Sequence, residues 1–219
     1  MGDVGAGLSA SLTGAILAGG RASRLGGVAK GLLDVGGTRI VDRIAGALAP
    51  VVSELLIVTD SAEMAAALRR ARAVEDVLTG GGSSAGVHAA LRATNGPILA
   101  VACDLPFVNT ALFRALVARA GNDVDAVVAV GPHAPDIEPL CAWYGPRCAG
   151  AIEAAWARGD RSLRGFIAAV RTRMLEPAEV AACGDVDRLF LNVNTPADLA
   201  RARALAIGDA DGDSATGTT

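Results

Sequence analysis

A short apolar run that ends in a glycine-rich, basic loop constrains the fold of this chain more than any other feature. Residues 15–18 (Ala-Ile-Leu-Ala) predict a buried strand, and four glycines stand in the nine positions that follow. Glycine backbone can adopt positive φ, and its free N–H groups can form a concavity that binds anions. Arg21, Arg24 and Lys30 bring positive charge to the same loop. The pattern predicts a phosphate-binding site at the end of a strand, with an incidental glycine-rich turn as the alternative.

Neither of the two common phosphate-binding loops fits these residues. A Walker loop needs Gly-Lys-Ser/Thr in succession, whereas Lys30 lies between Ala29 and Gly31. The dinucleotide fingerprint needs Gly-x-Gly-x-x-Gly, whereas Gly19 and Gly20 are neighbours. If the loop binds phosphate, it does so as neither of these two common types.

Apolar runs alternate with helix-forming segments along the rest of the chain. The sequence predicts strands at 55–59, 98–102 and 126–130, and helices at 62–71 and 111–120. Continuous apolar runs are typical of parallel strands that are covered on both faces. We therefore predict an α/β fold with one domain, a Rossmann-like, open, mostly parallel twisted sheet with helices on both faces. In such sheets, ligands bind beyond the carboxyl ends of the strands.

Small and polar residues flank this predicted domain at both ends. Residues 1–12 predict a flexible N-terminal arm, residues 13–206 the folded domain, and residues 207–219 a disordered C-terminal tail.

Charge and cysteine content exclude several classes of protein. The net charge of −3 argues against a dedicated nucleic-acid-binding protein, which is usually basic. The four cysteines have neither the spacing of a zinc site nor the density of a disulfide scaffold, so we expect reduced thiols. We find no signal peptide and no apolar run long enough for a membrane span, and we expect a cytoplasmic protein with no membrane partner.

A carboxylate follows the predicted strand 98–102 at the edge where ligands bind. Asp104 stands in the stretch 102–107 (Ala-Cys-Asp-Leu-Pro-Phe), in which Pro106 restricts the turn. Enzymes of nucleoside triphosphates need Mg²⁺, which prefers carboxylate and phosphate oxygens. From the residues alone, Asp104 either binds this metal or caps the following turn.

Two asparagines precede the last predicted helix. Thr195 can act as its N-cap, with Pro196 at the first helical position and Asp198 at the third. Capping does not explain Asn192 and Asn194, which alternate onto one face of a predicted strand. We expect both asparagine side chains to point at the ligand-binding edge.

Three of these motifs together resemble the signatures of the MobA-type molybdenum cofactor guanylyltransferases, which are nucleotidyltransferases. The motifs are 17–20 (Leu-Ala-Gly-Gly) with its basic residues, 103–107 (Cys-Asp-Leu-Pro-Phe) and 192–199 (Asn-Val-Asn-Thr-Pro-Ala-Asp-Leu). The resemblance covers roughly residues 13–206. It departs at Ala29, where the family commonly has Asp, and at Ser83-Ser84, where the family has Pro-Leu in a loop that helps to recognise guanine.

The resemblance assigns roles to the residues that this chain shares with the family. It implies that Lys30, Arg24 and Asp104 are catalytic, and that Asp104 binds Mg²⁺. The residues implied to bind nucleotide or pterin are Leu17, Ala18, Gly19, Gly20, Lys30, Asp76, Gly86, Asp104, Asn192 and Asn194. The stretch 138–142 (Glu-Pro-Leu-Cys-Ala) resembles a wall on the pterin side. Arg161 and Arg164 either reach a pterin phosphate or lie on a solvated helix face.

The implied reaction joins GTP to the molybdenum-pterin cofactor, giving the guanine dinucleotide form and pyrophosphate. Molybdoenzymes and cofactor chaperones are the implied further partners. Two alternatives keep the same fold, namely CTP with the pterin cofactor, or a nucleoside triphosphate with a sugar phosphate. A non-catalytic nucleotide-binding or carrier protein is the alternative from another class, and the presence of both Lys30 and Asp104 argues against it.

Overall fold

A seven-stranded sheet forms the centre of the computed structural model. The structure describes residues 12–19, 28–75, 82–94, 96–133 and 136–213, and for residues 209–213 it describes only the helical backbone. The strand order is β5-β4-β1-β6-β8-β7-β9, and a separate hairpin pairs β2 with β3. Six strands of the sheet are parallel, and β8 runs antiparallel to both of its neighbours. The strands are β1 Thr13–Leu17, β2 Asp34–Val35, β3 Thr38–Arg39, β4 Glu54–Val58, β5 Arg72–Val74, β6 Ile98–Ala102, β7 Ala126–Val130, β8 Ile137–Tyr144 and β9 Thr172–Leu175.

Three central strands end side by side. In the parallel pairings of β1 with β4 and with β6, Leu17 is aligned with Val58 on one side and with Ala102 on the other. Backbone hydrogen bonds continue this register past the strand ends, from Ala18 N–H to the Val58 carbonyl and from Cys103 N–H to the Leu17 carbonyl. The segments that follow these strands therefore start from one edge of the sheet, where open α/β sheets bind their ligands.

Helices cover both faces of the sheet, so the central strands are buried throughout. Successive strand residues point to opposite faces. Ile16 and Val101 pack into one core with α1, α4 and α9, whereas Ala15 and Ala100 pack into the other with α3, α5 and α6. A short 3₁₀-helix spans Lys30–Leu32. The α-helices are α1 Ile40–Leu48, α2 Ala62–Ala67, α3 Gly82–Arg92, α4 Thr110–Ala118, α5 Cys148–Ala157, α6 Leu163–Ala168, α7 Pro177–Ala181, α8 Val186–Leu189 and α9 Pro196–Asp213.

The predicted fold class is confirmed, with small shifts at the ends of elements. The strands predicted at 98–102 and 126–130 coincide with β6 and β7. The helix predicted at 62–71 stops at Ala67, because the chain must turn there before it enters β5 beside β4. The sequence did not predict β5, β8 or β9.

The antiparallel strand β8 contains a proline, which prevented its prediction from the sequence. The register of its pairing with β7 shifts between two neighbouring residues of β7, since Val128 is aligned with Ala142 but Ala129 is aligned with Glu138. The bulged residues between them include Pro139, which cannot donate a hydrogen bond to a neighbouring strand. The Tyr144 hydroxyl donates to the Pro139 carbonyl at 2.7 Å and closes the bulge.

The ends of the folded domain differ from the predicted boundaries by a few residues. Leu12, which we placed in the arm, is buried in the core, so the described fold begins one residue earlier. Helix α9 continues through 207–213, where composition predicts disorder, since extending a formed helix costs much less than starting one. Ile207 in this extension is 60% exposed. No helix in the described ranges has the length and apolar character needed to cross a membrane.

Candidate active site

Three segments that are distant in sequence meet beside the edge of the sheet. Lys30 lies in the 3₁₀-helix, Asp104 in the turn after β6, and Asn194 in the segment before α9. The Lys30 ammonium donates to Asp104 Oδ2 at 3.0 Å and also to Asn194 Oδ1. The side chains of Lys30 and Asp104 keep 22% and 17% of their exposed area, so a ligand can reach them. We refer to these three residues as the Lys30 cluster.

Backbone hydrogen bonds hold the segments of the Lys30 cluster together. The Val193 N–H donates to the Asp104 carbonyl at 2.9 Å, which joins the last segment to the turn after β6. Asp198 Oδ2 accepts from the N–H groups of Asn194 and Thr195, and Thr195 Oγ1 accepts from the Asp198 N–H. The predicted cap at Thr195 is confirmed, and it fixes the backbone of Asn194.

Residues 191–194 are irregular, so the strand predicted for the two asparagines is wrong. These residues lie beyond the sheet and bond to the turn after β6 instead of a neighbouring strand. Burial still alternates, because Val193 is buried whereas Asn192 and Asn194 are exposed. The Asn192 amide donates to the Phe190 carbonyl at 3.2 Å. Of the two asparagines, Asn194 accepts the hydrogen bond from the Lys30 ammonium.

One oxygen of Asp104 has the character of a metal ligand. Its Oδ1 atom is buried and has no hydrogen-bond partner among the described residues. A buried carboxylate oxygen in that state is costly unless a cation or donor reaches it. In the part of the chain that the structure describes, no group of three His, Cys, Asp or Glu side chains could hold a metal ion. A magnesium ion bound partly through the phosphate oxygens of a ligand fits this single carboxylate.

The cysteine beside Asp104 offers no nucleophile. Cys103 is buried, and burial together with the neighbouring Asp104 carboxylate raises the pKa of its thiol to about 12. The thiol is therefore neutral at physiological pH, and only the thiolate is reactive. The other three cysteines are also free thiols. The described part of the site offers fixed charges and hydrogen bonds, and none of its described residues suits covalent catalysis.

The start of β8 lies close to the Lys30 cluster. Burial raises the pKa of Glu138 above its ordinary value, the Arg164 guanidinium opposes this rise, and the Asp136 and Asp104 carboxylates add to it. Arg164 donates to Asp136 at 3.1 Å, and both side chains are exposed. Because Val101 of β6 is aligned with Cys141 of β8, the residues proposed for the pterin-side wall lie on the strand next to the one that leads to the predicted metal ligand.

The first turns of α3 pack between the end of β1 and the connection from α5 to α6. Gly86 is buried, and a Cβ added to it would lie in ordinary contact with the Leu17 side chain, at 3.5 Å. Ser84 is 2% exposed; its hydroxyl donates to the Arg161 carbonyl at 2.8 Å and accepts from the Trp156 indole N–H at 3.1 Å. The Arg161 guanidinium carbon lies 5.7 Å from the centre of the Trp156 ring. The side chain that departs from the family pattern is thus engaged within the protein.

The structure brings together a part of the predicted site. The predicted residues that lie at this edge of the sheet are Leu17, Ala18, Gly19, Lys30, Asp104 and Asn194. Gly20, Arg24 and Asp76 lie outside the described residues, and the functional roles of all the predicted site residues stay predictions. The sequence contained no local signal for the role of Ser84, because its two partners are 72 and 77 residues away.

Comparison with known proteins places the chain among nucleotidyltransferases. Residues 14–178 match the family described as MobA-like NTP transferase domain. A protein of Pelotomaculum thermopropionicum named "probable molybdenum cofactor guanylyltransferase" is 38% identical over 196 residues, which cover 89% of this chain and 93% of that protein. A Pseudomonas putida KT2440 protein named molybdenum cofactor guanylyltransferase is 33% identical over 185 residues, covering 83% and 92% of the two chains.

A solved structure shows the same architecture. The crystal structure of molybdopterin-guanine dinucleotide biosynthesis protein A from Archaeoglobus fulgidus matches with a TM-score of 0.74 at 27% sequence identity. The match covers 90% of this chain and 99% of the other. The similarity therefore extends over nearly the whole folded domain.

Proposed function

Because this chain belongs to the family of MobA-like NTP transferase domains, we propose that it transfers GMP from GTP to a molybdenum-pterin cofactor. The products are the guanine dinucleotide form of the cofactor and pyrophosphate. The observation that carries the proposal is the Lys30 cluster, in which residues of three separate sequence motifs meet where three parallel strands end.

The chemistry of the reaction suits a site without a general base. The nucleophile is a phosphate oxygen of the pterin, which is already ionised at neutral pH. It forms a bond to the α-phosphorus of GTP while the bond from that phosphorus to the bridging oxygen of pyrophosphate breaks. Catalysis then depends on alignment and on neutralising the charge that gathers on the leaving group.

Lys30 supplies the positive charge in the described part of this site. Its ammonium is held between a carboxylate and an amide oxygen, which restricts its position before any ligand arrives. A cation held in this way can bond to phosphate oxygens as the leaving pyrophosphate gains charge, so it acts most strongly in the transition state. Arg24 and the glycine-rich loop remain proposed contributors on the basis of the sequence.

Asp104 is the proposed ligand of Mg²⁺, through the buried Oδ1 atom, which has no hydrogen-bond partner among the residues that the structure describes. When bound, the metal supplies positive charge to the phosphate groups. Asn194 and the backbone of residues 17–19 are proposed to orient the two substrates at this edge. Glu138 and Arg164 are proposed to face the pterin. A cofactor made here must pass to the enzymes that use it, so molybdoenzymes and cofactor chaperones are the proposed protein partners.

A thermal-shift measurement with Mg²⁺ and one nucleoside triphosphate at a time tests the choice of GTP. Binding to the native state at about 100 times Kd stabilises it by about 2.7 kcal/mol, so the melting temperature rises by several degrees. We expect this rise with GTP and a much smaller one with CTP or ATP. A rise with CTP alone would move the assignment to cytidylyl transfer, and a rise with none of them would refute nucleotidyl transfer.

A further inference from the structure

We infer that Ser84 is a positioning residue for base recognition, because its hydroxyl ties the first turn of α3 to the connection between α5 and α6. The inference rests on the proposed function. It concerns the place where this chain departs most clearly from its family, since the resemblance assigns guanine recognition to the stretch that includes residues 83–86.

The Ser84 hydroxyl bonds to two groups on the other side of the helix. It donates to the Arg161 carbonyl at 2.8 Å and accepts from the Trp156 indole N–H at 3.1 Å. A hydroxyl has one proton to donate, and here that proton goes to a backbone carbonyl. At 2% exposure, the hydroxyl does not stand in the solvent where a nucleotide base would meet it. It therefore acts on a base through the position of α3 rather than by direct contact.

A leucine, as the family has at this position, could make neither of these hydrogen bonds. The serine links α3 to two specific groups, the indole of Trp156 and the carbonyl of Arg161. Alanine in place of Ser84 would leave both groups without this partner.

The link bears on the nucleotide site because α3 touches the phosphate-binding segment as well. Gly86, half a turn after Ser84, packs against the side chain of Leu17 at the end of β1. The first turns of α3 therefore lie between Leu17 and the Trp156–Arg161 pair. Recognition of a base by hydrogen bonds tolerates positional errors of only about 0.5 Å in the binding groups. The contacts that hold α3 in place therefore influence how well the site distinguishes one base from another.

The test compares Ser84→Ala with Ser53→Ala. Ser53 also donates its hydroxyl to a backbone carbonyl, that of Leu12 at 3.0 Å, but at the opposite edge of the sheet. Calorimetric titrations with Mg²⁺ measure the affinities for GTP, for ATP and for inorganic tripolyphosphate, which has no base. For Ser84→Ala we expect GTP to bind about tenfold more weakly and tripolyphosphate to bind within about twofold of the wild type, a loss of about 1.4 kcal/mol confined to the base. For Ser53→Ala we expect no change in any affinity.

Equal weakening of GTP and tripolyphosphate, or no weakening of either, would overturn the inference and leave Ser84 with a purely structural role. If Ser84→Ala does not fold, Trp156→Phe removes the indole N–H while keeping an aromatic ring, although a smaller one, and is judged by the same comparison. If the proposed function is wrong, the titrations give a different result, because the wild-type protein would then show no preference for GTP over ATP. A wild type that prefers GTP, with a Ser84→Ala variant that keeps the full preference, would refute the positioning role alone.

Discussion

Replacing Lys30 by methionine is expected to lower catalysis much more than stability. Methionine keeps a long, unbranched side chain and removes the ammonium that bonds to Asp104 and Asn194. Lys30 is the only lysine in the sequence. No second lysine can therefore replace it in the variant.

The size of the stability loss follows from the ion pair. At the observed 3.0 Å and an effective dielectric constant of about 20, the gross attraction between Lys30 and Asp104 is about 5 kcal/mol. Desolvation and lost side-chain entropy offset most of it, because the pair is partly exposed, so we expect the free energy of unfolding to fall by about 1–2 kcal/mol. Loss of a preorganised charge from the transition state costs about 3 kcal/mol, which is at least a hundredfold in kcat/KM.

Single-turnover guanylylation and urea denaturation, measured on the same variant, separate the two effects. Arg203→Met is a suitable control, because it removes an exposed cation whose guanidinium bonds only to the Asp34 carbonyl among the contacts described. We expect the control to change the unfolding free energy by less than about 0.5 kcal/mol and to leave the rate unchanged. A Lys30→Met rate within about threefold of the wild type, in a folded protein, would remove Lys30 from the reaction, since that factor is well under 1 kcal/mol.

Four further outcomes are expected. Asp104→Asn should lower turnover at least about a hundredfold and lower the unfolding free energy by about 1–2 kcal/mol, as for Lys30→Met, because the amide keeps the shape but loses the charge and the same ion pair; near-normal turnover would make it a turn residue. Asp125→Asn should cost about 2 kcal/mol at pH 7, since two arginines hold the pKa of that carboxyl well below its usual range, and the difference from wild type in urea denaturation should shrink progressively as pH falls below about 4, where the unfolded chain protonates first. Glu138→Gln should raise the melting temperature by about 1–3 °C at pH 8 and not at pH 4, because burial raises the pKa of Glu138 and its stabilising protonated form is lost as pH rises. A chain that ends at Ala206, lacking 207–219, should keep its activity and melt within about 2 °C of the full chain; a larger loss in either would show that the tail contributes.

The architecture could be predicted from the sequence because parallel, doubly covered strands have a strong signature. The run at 98–102 is apolar without interruption, and it matches β6 at both ends. The strand β8 escaped prediction because Glu138 and Pro139 break its pattern, and the bulge that accommodates them depends on the pairing with β7. The short edge strand β5 is built from Arg72, Ala73 and Val74, and only its neighbour β4 makes it a strand.

The site was predictable as a list of motifs but not as a set of contacts. Placing Asp104 directly after a strand was sufficient to bring it to the ligand-binding edge. The ion pair between Asp104 and Lys30 could not be inferred from the sequence. The 3₁₀-helix that presents Lys30 is held by the packing of Gly31 against Met64, which is a tertiary contact. The same limit applies to Ser84, whose sequence departure is visible although the partners that explain it come from another helix and its following turn.

The Lys30 cluster also makes assembly of the site a late event in folding. Lys30 is separated from Asp104 by 74 residues and from Asn194 by 164, so its contacts close loops that span most of the chain. Polar contacts of this kind contribute little to collapse, and they form only when both strand pairing and the docking of α9 have brought their ends together. During refolding, secondary structure and burial of the aromatic side chains should therefore recover before enzymatic activity does. The catalytic rate is the measurement that reports completion of the fold.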